Sequence, residues 1–280
     1  MIIAHTIKET RDFVSEVKSA GKSVGFVPTM GALHSGHLAL INRATAENDI
    51  VVVSIFVNPI QFNNKTDLET YPRPITEDIH KLEEAACDLL FNPEVDEMYP
   101  EPVFDKYDFG HLDKVMEGKF RPGHFNGVAV VVRKLFEIVT PDKAYFGQKD
   151  FQQLRIIQTM TASLNLPVEI VPCPTVREKD GLAMSSRNKL LSQAERKVAP
   201  AIYQVLNFIK ENAGRIAVQE LAELAVSKLN KYEHLNVEYV EIVDAETLLP
   251  VQSWSGYSSI IACAAVYNGK VRLIDNILIY

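Results

Sequence analysis

An α/β fold is what this 280-residue sequence predicts: a doubly wound, mostly parallel sheet followed by a smaller C-terminal α+β domain. Three observations carry the prediction. Apolar, β-branched runs alternate with amphipathic helical patterns through the first 176 residues. One run, Ile50 to Val57, is almost continuously apolar, as in a strand buried on both faces of a parallel sheet. After residue 176 the alternation gives way to two helical patterns followed by a cluster of strand patterns.

Taken in order, residues 6–20 place Ile7, Phe13, Val14 and Val17 at helical spacing and stop at Gly21. Residues 24–28 predict a short buried strand, 37–47 a helix, and 50–57 the second strand. A helix over 76–86 and a short strand over 88–91 follow. His124 to Val139 predicts a largely buried helix, 144–146 a strand, 151–164 a helix and 168–171 a strand. Right-handed crossovers between such units build an open sheet. Helices are then expected over 192–213 and 217–230, and strands over 237–243, 258–267 and 270–279. Asn268-Gly269 between the last two is a two-residue hairpin signal. The domains expected are 1–176 and 177–280, joined near 177–190.

Hydrophobic residues make up 47% of the chain and charged residues 23%, which suits a packed core and excludes disorder. A formal net charge of -7 argues against a general nucleic-acid binder, which needs a broad basic face. Cys87, Cys173 and Cys263 are far apart without metal-ligand spacing, and suit small buried side chains in a reducing compartment. Met1 to His5 lacks a signal-peptide pattern, and no apolar run approaches the roughly 20 residues that span a bilayer. A cytoplasmic location without a membrane partner is expected.

The densest chemistry lies in PTMGALHSGH, residues 28–37, at the junction of the first buried strand with a helix. Backbone N–H groups and the helix dipole at such a junction favour an anion. Gly31 and Gly36 allow close backbone approach, and His34 and His37 stand about one turn apart, so both imidazoles can address one bound phosphate. Capping or packing histidines would leave the same string. Near residue 185, Ser185, Ser186 and Arg187 combine hydroxyls with a fixed cation, suited to a triphosphate or to an ordinary polar linker. Arg121 to Gly127 and Tyr145 to Asp150 are further clusters; the latter falls where a strand would end, although Asp150 would also serve as a helix cap.

Taken together, PTMGALHSGH, FVNPIQF, YPR, RPGHFNGV, YFGQKDFQQ, TVRE, GLAMSSRN and the terminal RLIDN resemble the pantoate–β-alanine ligases over essentially the whole chain. That family lies in the H-x-G-H nucleotidyltransferase group, whose nucleotide-binding fold is Rossmann-like. The resemblance implies a two-step reaction: pantoate attacks the α-phosphorus of ATP to give pantoyl adenylate and pyrophosphate, and the amine of β-alanine then displaces AMP. It also implies Mg²⁺, a cytoplasmic homodimer and a place in coenzyme A biosynthesis.

By that resemblance, Met30, Gly31, Ala32, Leu33, His34, Ser35, Gly36 and His37 hold ATP, with both histidines near the phosphates. Electrostatic stabilisation and proton transfer both remain open for His37. Gln61 and Gln153 correspond to pantoate-binding glutamines, and Gln61 also to the β-alanine position. Gly147, Gln148, Lys149 and Asp150 correspond to a nucleotide segment, with Lys149 at the phosphates and Asp150 at the ribose. Val176 matches an adenine-side position, and Met184, Ser185, Ser186 and Arg187 match the loop at the pyrophosphate. Asn58, Tyr71 and Arg121 carry over only as members of substrate-region motifs, and Asp78 as a metal contact. Ser35 and Gln148 depart from the acidic residue and the lysine common at those positions in relatives. A nucleotidyltransferase making a dinucleotide is the nearest rival, but it leaves Gln61 with Gln153 unexplained; a non-catalytic nucleotide sensor leaves the histidine pair unexplained.

Overall fold

Near-continuous apolar strands pair in parallel in this chain because helices cover both of their faces. In the computed structural model, which describes residues 1–63 and 68–280, the strands β1 (Ile2–Ala4), β2 (Val24–Thr29), β3 (Ile50–Ile55), β4 (Leu89–Phe91), β5 (Lys143–Gly147) and β6 (Glu169–Cys173) form one sheet in the order β1-β4-β3-β2-β5-β6. Every pairing in it is parallel. The expected doubly wound sheet is thus present. β1 had no counterpart in the sequence reading; its three residues sit at the sheet edge, too short for a periodicity to register.

Helices α1 (Ile7–Ser19), α2 (Ser35–Glu47), α3 (Ile75–Glu84), α4 (Val95–Met98), α5 (Met116–Phe120), α6 (His124–Val139) and α7 (Phe151–Ser163) follow or separate these strands. Thr6 and Glu9 form a capping box that starts α1. Val27, Leu33, Ile41, Val53, Leu82, Leu90 and Tyr145 share one apolar core, which ties α2 and α3 to the sheet. Helix α6 is buried along most of its length, as its sequence predicts.

The chain divides into two compact units. One comprises Met1–Asp113, Arg121–Gln148 and Gln153–Pro174; the other comprises Lys114–Phe120, Lys149–Gln152 and Thr175–Tyr280. The second unit is built on an antiparallel sheet of β7 (Leu235–Asp244), β8 (Ile260–Asn268) and β9 (Val271–Leu278). Helices α8 (Gln193–Val198), α9 (Ala201–Asn212) and α10 (Val218–Leu229) complete it, with Ile202, Leu206, Leu221, Ile260 and Val266 in a common core.

Two local expectations are corrected. The single helix expected over 192–213 is divided after Val198, at Ala199 and Pro200, where proline offers no N–H. The β8–β9 turn is Gly269-Lys270 rather than Asn268-Gly269. Asn268 remains a paired strand residue, with its buried side chain donating to the Glu195 carbonyl at 2.7 Å. Gly269, at φ +58°, takes the first loop position, where a type II′ turn requires glycine. Among the described residues, no helix is long and apolar enough to cross a membrane.

Candidate functional site

Strand order marks a candidate ligand crevice in the first unit. β2 pairs with β3 on one side and β5 on the other, so the winding direction reverses at β2 and β5. The carboxyl ends of strands at such a reversal flank the crevice where open α/β sheets take ligands. β2 ends in Thr29 and runs into Met30–His37, and β5 ends in Gly147, followed by Gln148.

The loop after β2 turns through Gly31 at φ +79° and Ala32 at φ +51°, a left-handed conformation unfavourable for alanine. Asp78 of α3, 1% exposed, holds it there: one carboxylate oxygen accepts from the Ala32 N–H at 2.7 Å and the other from the Leu33 N–H at 2.8 Å. Lys81 donates to the Leu33 carbonyl at 2.9 Å and lies 3.8 Å from Asp78. The Gly31 N–H donates to the Thr29 hydroxyl at 3.1 Å, and that hydroxyl donates to the Ser54 carbonyl. A Cβ on Gly31 would lie 3.0 Å from both Asp78 and Ile55, which leaves little room for any other residue. Burial pushes the Asp78 pKa up, opposed by the two N–H groups and Lys81.

The N–H groups of Gly31, Ala32, Leu33 and His34 all have protein acceptors, which fix the shape of the loop. Asp78 closes the loop through both of its carboxylate oxygens. No group of three or more His, Cys, Asp or Glu side chains suited to a metal occurs among the described residues.

His34 caps α2. Its Nδ1 accepts from the Gly36 N–H at 3.1 Å, and the Nδ1 of His37 accepts from the His34 N–H at 3.3 Å. The rings lie with centroids 4.1 Å apart and planes 35° apart. A backbone N–H only donates, so each Nδ1 is an acceptor and each neutral ring keeps its proton on Nε2. Both histidines are half-buried, and Ser35 between them is exposed.

Met30 leads to a second cluster in the same unit. Gln61, buried after a short turn over Pro59–Gln61, donates from Nε2 to the Met30 sulfur at 3.0 Å. Asn58 donates to the Gln61 side-chain oxygen at 3.2 Å and to the Gly127 carbonyl at 3.0 Å, and accepts from the Tyr99 hydroxyl at 3.0 Å. His124 donates from Nδ1 to the Gln61 carbonyl at 2.9 Å and accepts at Nε2 from Arg121 at 3.2 Å. FVNPIQF and RPGHFNGV, remote in sequence, are therefore one assembly around Gln61. Tyr71 packs edge-on against Phe62, with centroids 5.9 Å apart. Gln153 is half-buried on α7.

In the second unit, Lys149 lies 3.9 Å from Asp150. A tight hairpin covers 176–184: the Met184 N–H donates to the Val176 carbonyl at 2.9 Å, and the Glu178 N–H to the Leu182 carbonyl at 2.8 Å. It leads into Ser185, whose hydroxyl accepts from the Arg187 N–H at 3.3 Å and starts a short turn over Ser186–Leu190. Asn188 donates to Glu178 at 2.9 Å and to the Ala183 carbonyl at 3.1 Å, which folds GLAMSSRN back on TVRE. Sequence reasoning missed Arg177, which grips Asp275 through two hydrogen bonds of 2.6 and 2.9 Å. Both lie in quoted motifs, but nothing in their spacing pairs residues 98 positions apart.

A family model described as pantoate-beta-alanine ligase matches residues 2–278. The chain is 51% identical over 277 residues to the pantothenate synthetase of Porphyromonas gingivalis W83, covering 99% of each, and 49% identical to that of Bacteroides thetaiotaomicron, covering 99% and 98%. It superimposes on a crystal structure of pantothenate synthetase from Thermus thermophilus with TM-score 0.94, 45% identity and full coverage of both chains. A pantoate-beta-alanine ligase from Francisella tularensis, crystallised in complex with beta-gamma ATP and beta-alanine, matches with TM-score 0.83 and 38% identity over 100% of this chain and 98% of that one.

Proposed function

The chain belongs to the pantoate–β-alanine ligase family and is an ATP-dependent enzyme joining pantoate to β-alanine, and from that premise we propose that it works through a pantoyl adenylate formed beside His34 and His37. A carboxylate is a poor acyl electrophile because its leaving group would be oxide. In the first step a pantoate carboxylate oxygen bonds to the α-phosphorus of ATP and the α–β phosphoanhydride bond breaks, releasing pyrophosphate. In the second the amine of β-alanine attacks the activated carbonyl carbon, the acyl–oxygen bond to AMP breaks, and the amine gives up a proton.

The observation that carries this reading is the matched pair of acceptor Nδ1 atoms in His34 and His37. It supports two neutral Nε2–H donors directed at charge moving toward pyrophosphate, a preorganised contribution of about 3–4 kcal/mol for one well-placed group. It favours this electrostatic role over proton relay, because a proton on either Nδ1 would displace a backbone N–H.

Gln61 and Gln153 orient pantoate, and Gln61 also serves β-alanine. A neutral amide positions the carboxylate without neutralising its nucleophilic charge. Gln61 suits the role through its fixed place beside Asn58, Met30 and His124. Gly147, Gln148, Lys149 and Asp150 take the nucleotide, with Lys149 at the phosphates and Asp150 at the ribose. Val176 meets the adenine side, and Met184, Ser185, Ser186 and Arg187 meet the pyrophosphate. Each Asp78 oxygen keeps a second lone pair beyond its loop contact, so the carboxylate would be the chain's own contact to Mg²⁺, which would otherwise be held by ATP phosphate oxygens and water. The working enzyme is a cytoplasmic homodimer supplying coenzyme A biosynthesis.

Pyrophosphate exchange into ATP, measured with and without pantoate, tests the proposal. Exchange that depends on pantoate and proceeds without β-alanine is expected. Exchange that is equally fast without pantoate, or absent with it, would overturn the adenylate route.

A further inference from the structure

The terminal RLIDN motif has no part in the chemistry described above, yet it carries two of the most buried polar side chains in the second unit: Asp275 is 5% exposed and Asn276 8%. Both carboxylate oxygens of Asp275 are held by Arg177, at 2.6 and 2.9 Å, and Arg177 also donates to the Asn276 carbonyl at 3.1 Å and the Gly181 carbonyl at 3.1 Å. The guanidinium lies 3.7 Å from the centroid of the Tyr203 ring. Gly181, at φ +95°, permits this stack, since a Cβ there would come within 2.5 Å of Tyr203. Asn276 then extends its amide to the Lys149 carbonyl at 2.8 Å.

We infer that Arg177, Asp275 and Asn276 are positioning residues that set Lys149 in register with the hairpin leading into Met184, Ser185, Ser186 and Arg187. Arg177 anchors that hairpin, with an antiparallel bridge to Ala183, and the neighbouring Asn276 anchors the Lys149 backbone. A buried bidentate pair fixes direction as well as distance, and a general stabilising role would not require the adjacent residue to reach the lysine segment. The inference rests on the proposed role of Lys149 at the ATP phosphates.

Asn276→Ala removes the amide that holds Lys149, and Arg177→Lys keeps the charge opposite Asp275 without the two-point grip. In full-length enzyme, each is expected to raise the KM for ATP about tenfold and to lower the unfolding temperature by a few degrees, leaving the KM for pantoate near the parent value. Lys149→Ala is measured beside them. If it loses ATP binding while both variants keep the parent KM for ATP, the inference is overturned and the reading of Lys149 stands. If Lys149→Ala is itself parent-like, both fall. Lower turnover with every KM unchanged and a lower unfolding temperature, or failure of both variants to fold, would mark the cluster as merely structural and also overturn the inference.

Discussion

The backbone N–H of His34 donates to Nδ1 of His37 across 3.3 Å, so the second histidine helps to cap the helix that the first begins. One nitrogen of each ring therefore serves the fold, and the other is the one we propose for the phosphates.

Two substitutions at His34 separate these functions. Asparagine places an oxygen near the position of Nδ1 and keeps the cap, but lacks the Nε2 donor. Glutamine reaches the Nε2 position and loses the cap. His34→Asn is expected to unfold near the parent temperature and to lose about 10²–10³-fold in pantoate-dependent pyrophosphate exchange. His34→Gln is expected to keep more exchange and to lose about 1 kcal/mol of stability by denaturant titration. The opposite ordering of the two rates would remove the donor role.

Asp78 makes a second case. An amide at this position accepts from one of the Ala32 and Leu33 N–H groups and turns its own N–H toward the other, so Asp78→Asn is expected to cost about 1–3 kcal/mol and to raise the KM for ATP. Burial raises the carboxyl pKa, so on acidification it takes up a proton at higher pH than an exposed aspartate. Between the unfolded and the raised value the folded chain binds that proton more tightly, and the stability contributed by this group falls as pH rises through the window. Loop closure has the reverse requirement, because only the carboxylate accepts from both N–H groups. The KM for ATP should therefore rise on the acid side in the parent enzyme and stay raised, without that limb, in Asp78→Asn.

Periodicity in the sequence was enough to identify most of the parallel sheet, because strands such as Ile50–Ile55 are apolar on both faces. It failed at Pro200, where one proline interrupts an otherwise consistent helical pattern, and at Asn268, where tertiary burial of the side chain moved the turn by one residue. The candidate residues were legible as strings, but their internal wiring was not. Asp78 reaches the loop across 46 and 45 positions and Asn276 reaches Lys149 across 127, and no local spacing encodes such pairings.

Gln153 tests the argument that neutral amides suit a carboxylate nucleophile. Gln153→Glu alters little in size, but its negative charge would face a negatively charged substrate. The KM for pantoate is expected to rise at least about tenfold, with the KM for ATP less affected. Unchanged pantoate kinetics would remove Gln153 from the pantoate site.

Gly127 offers a test that changes no polar group. A Cβ at this position would stand 2.8 Å from the Cα and backbone nitrogen of Gln61, a collision with main chain that no side-chain rotation relieves. Gly127→Ala must therefore move α6 or the Pro59–Gln61 turn, at a cost of about 1–3 kcal/mol. The Asn58 bond to the Gly127 carbonyl and the His124 bond to the Gln61 carbonyl span the same contact, so displacement there shifts the Gln61 side chain as well. If Gln61 orients pantoate and β-alanine, the KM for both should rise while the His34 loop, held separately by Asp78, keeps the KM for ATP near the parent value. A rise confined to ATP would contradict the division of roles between Gln61 and the loop.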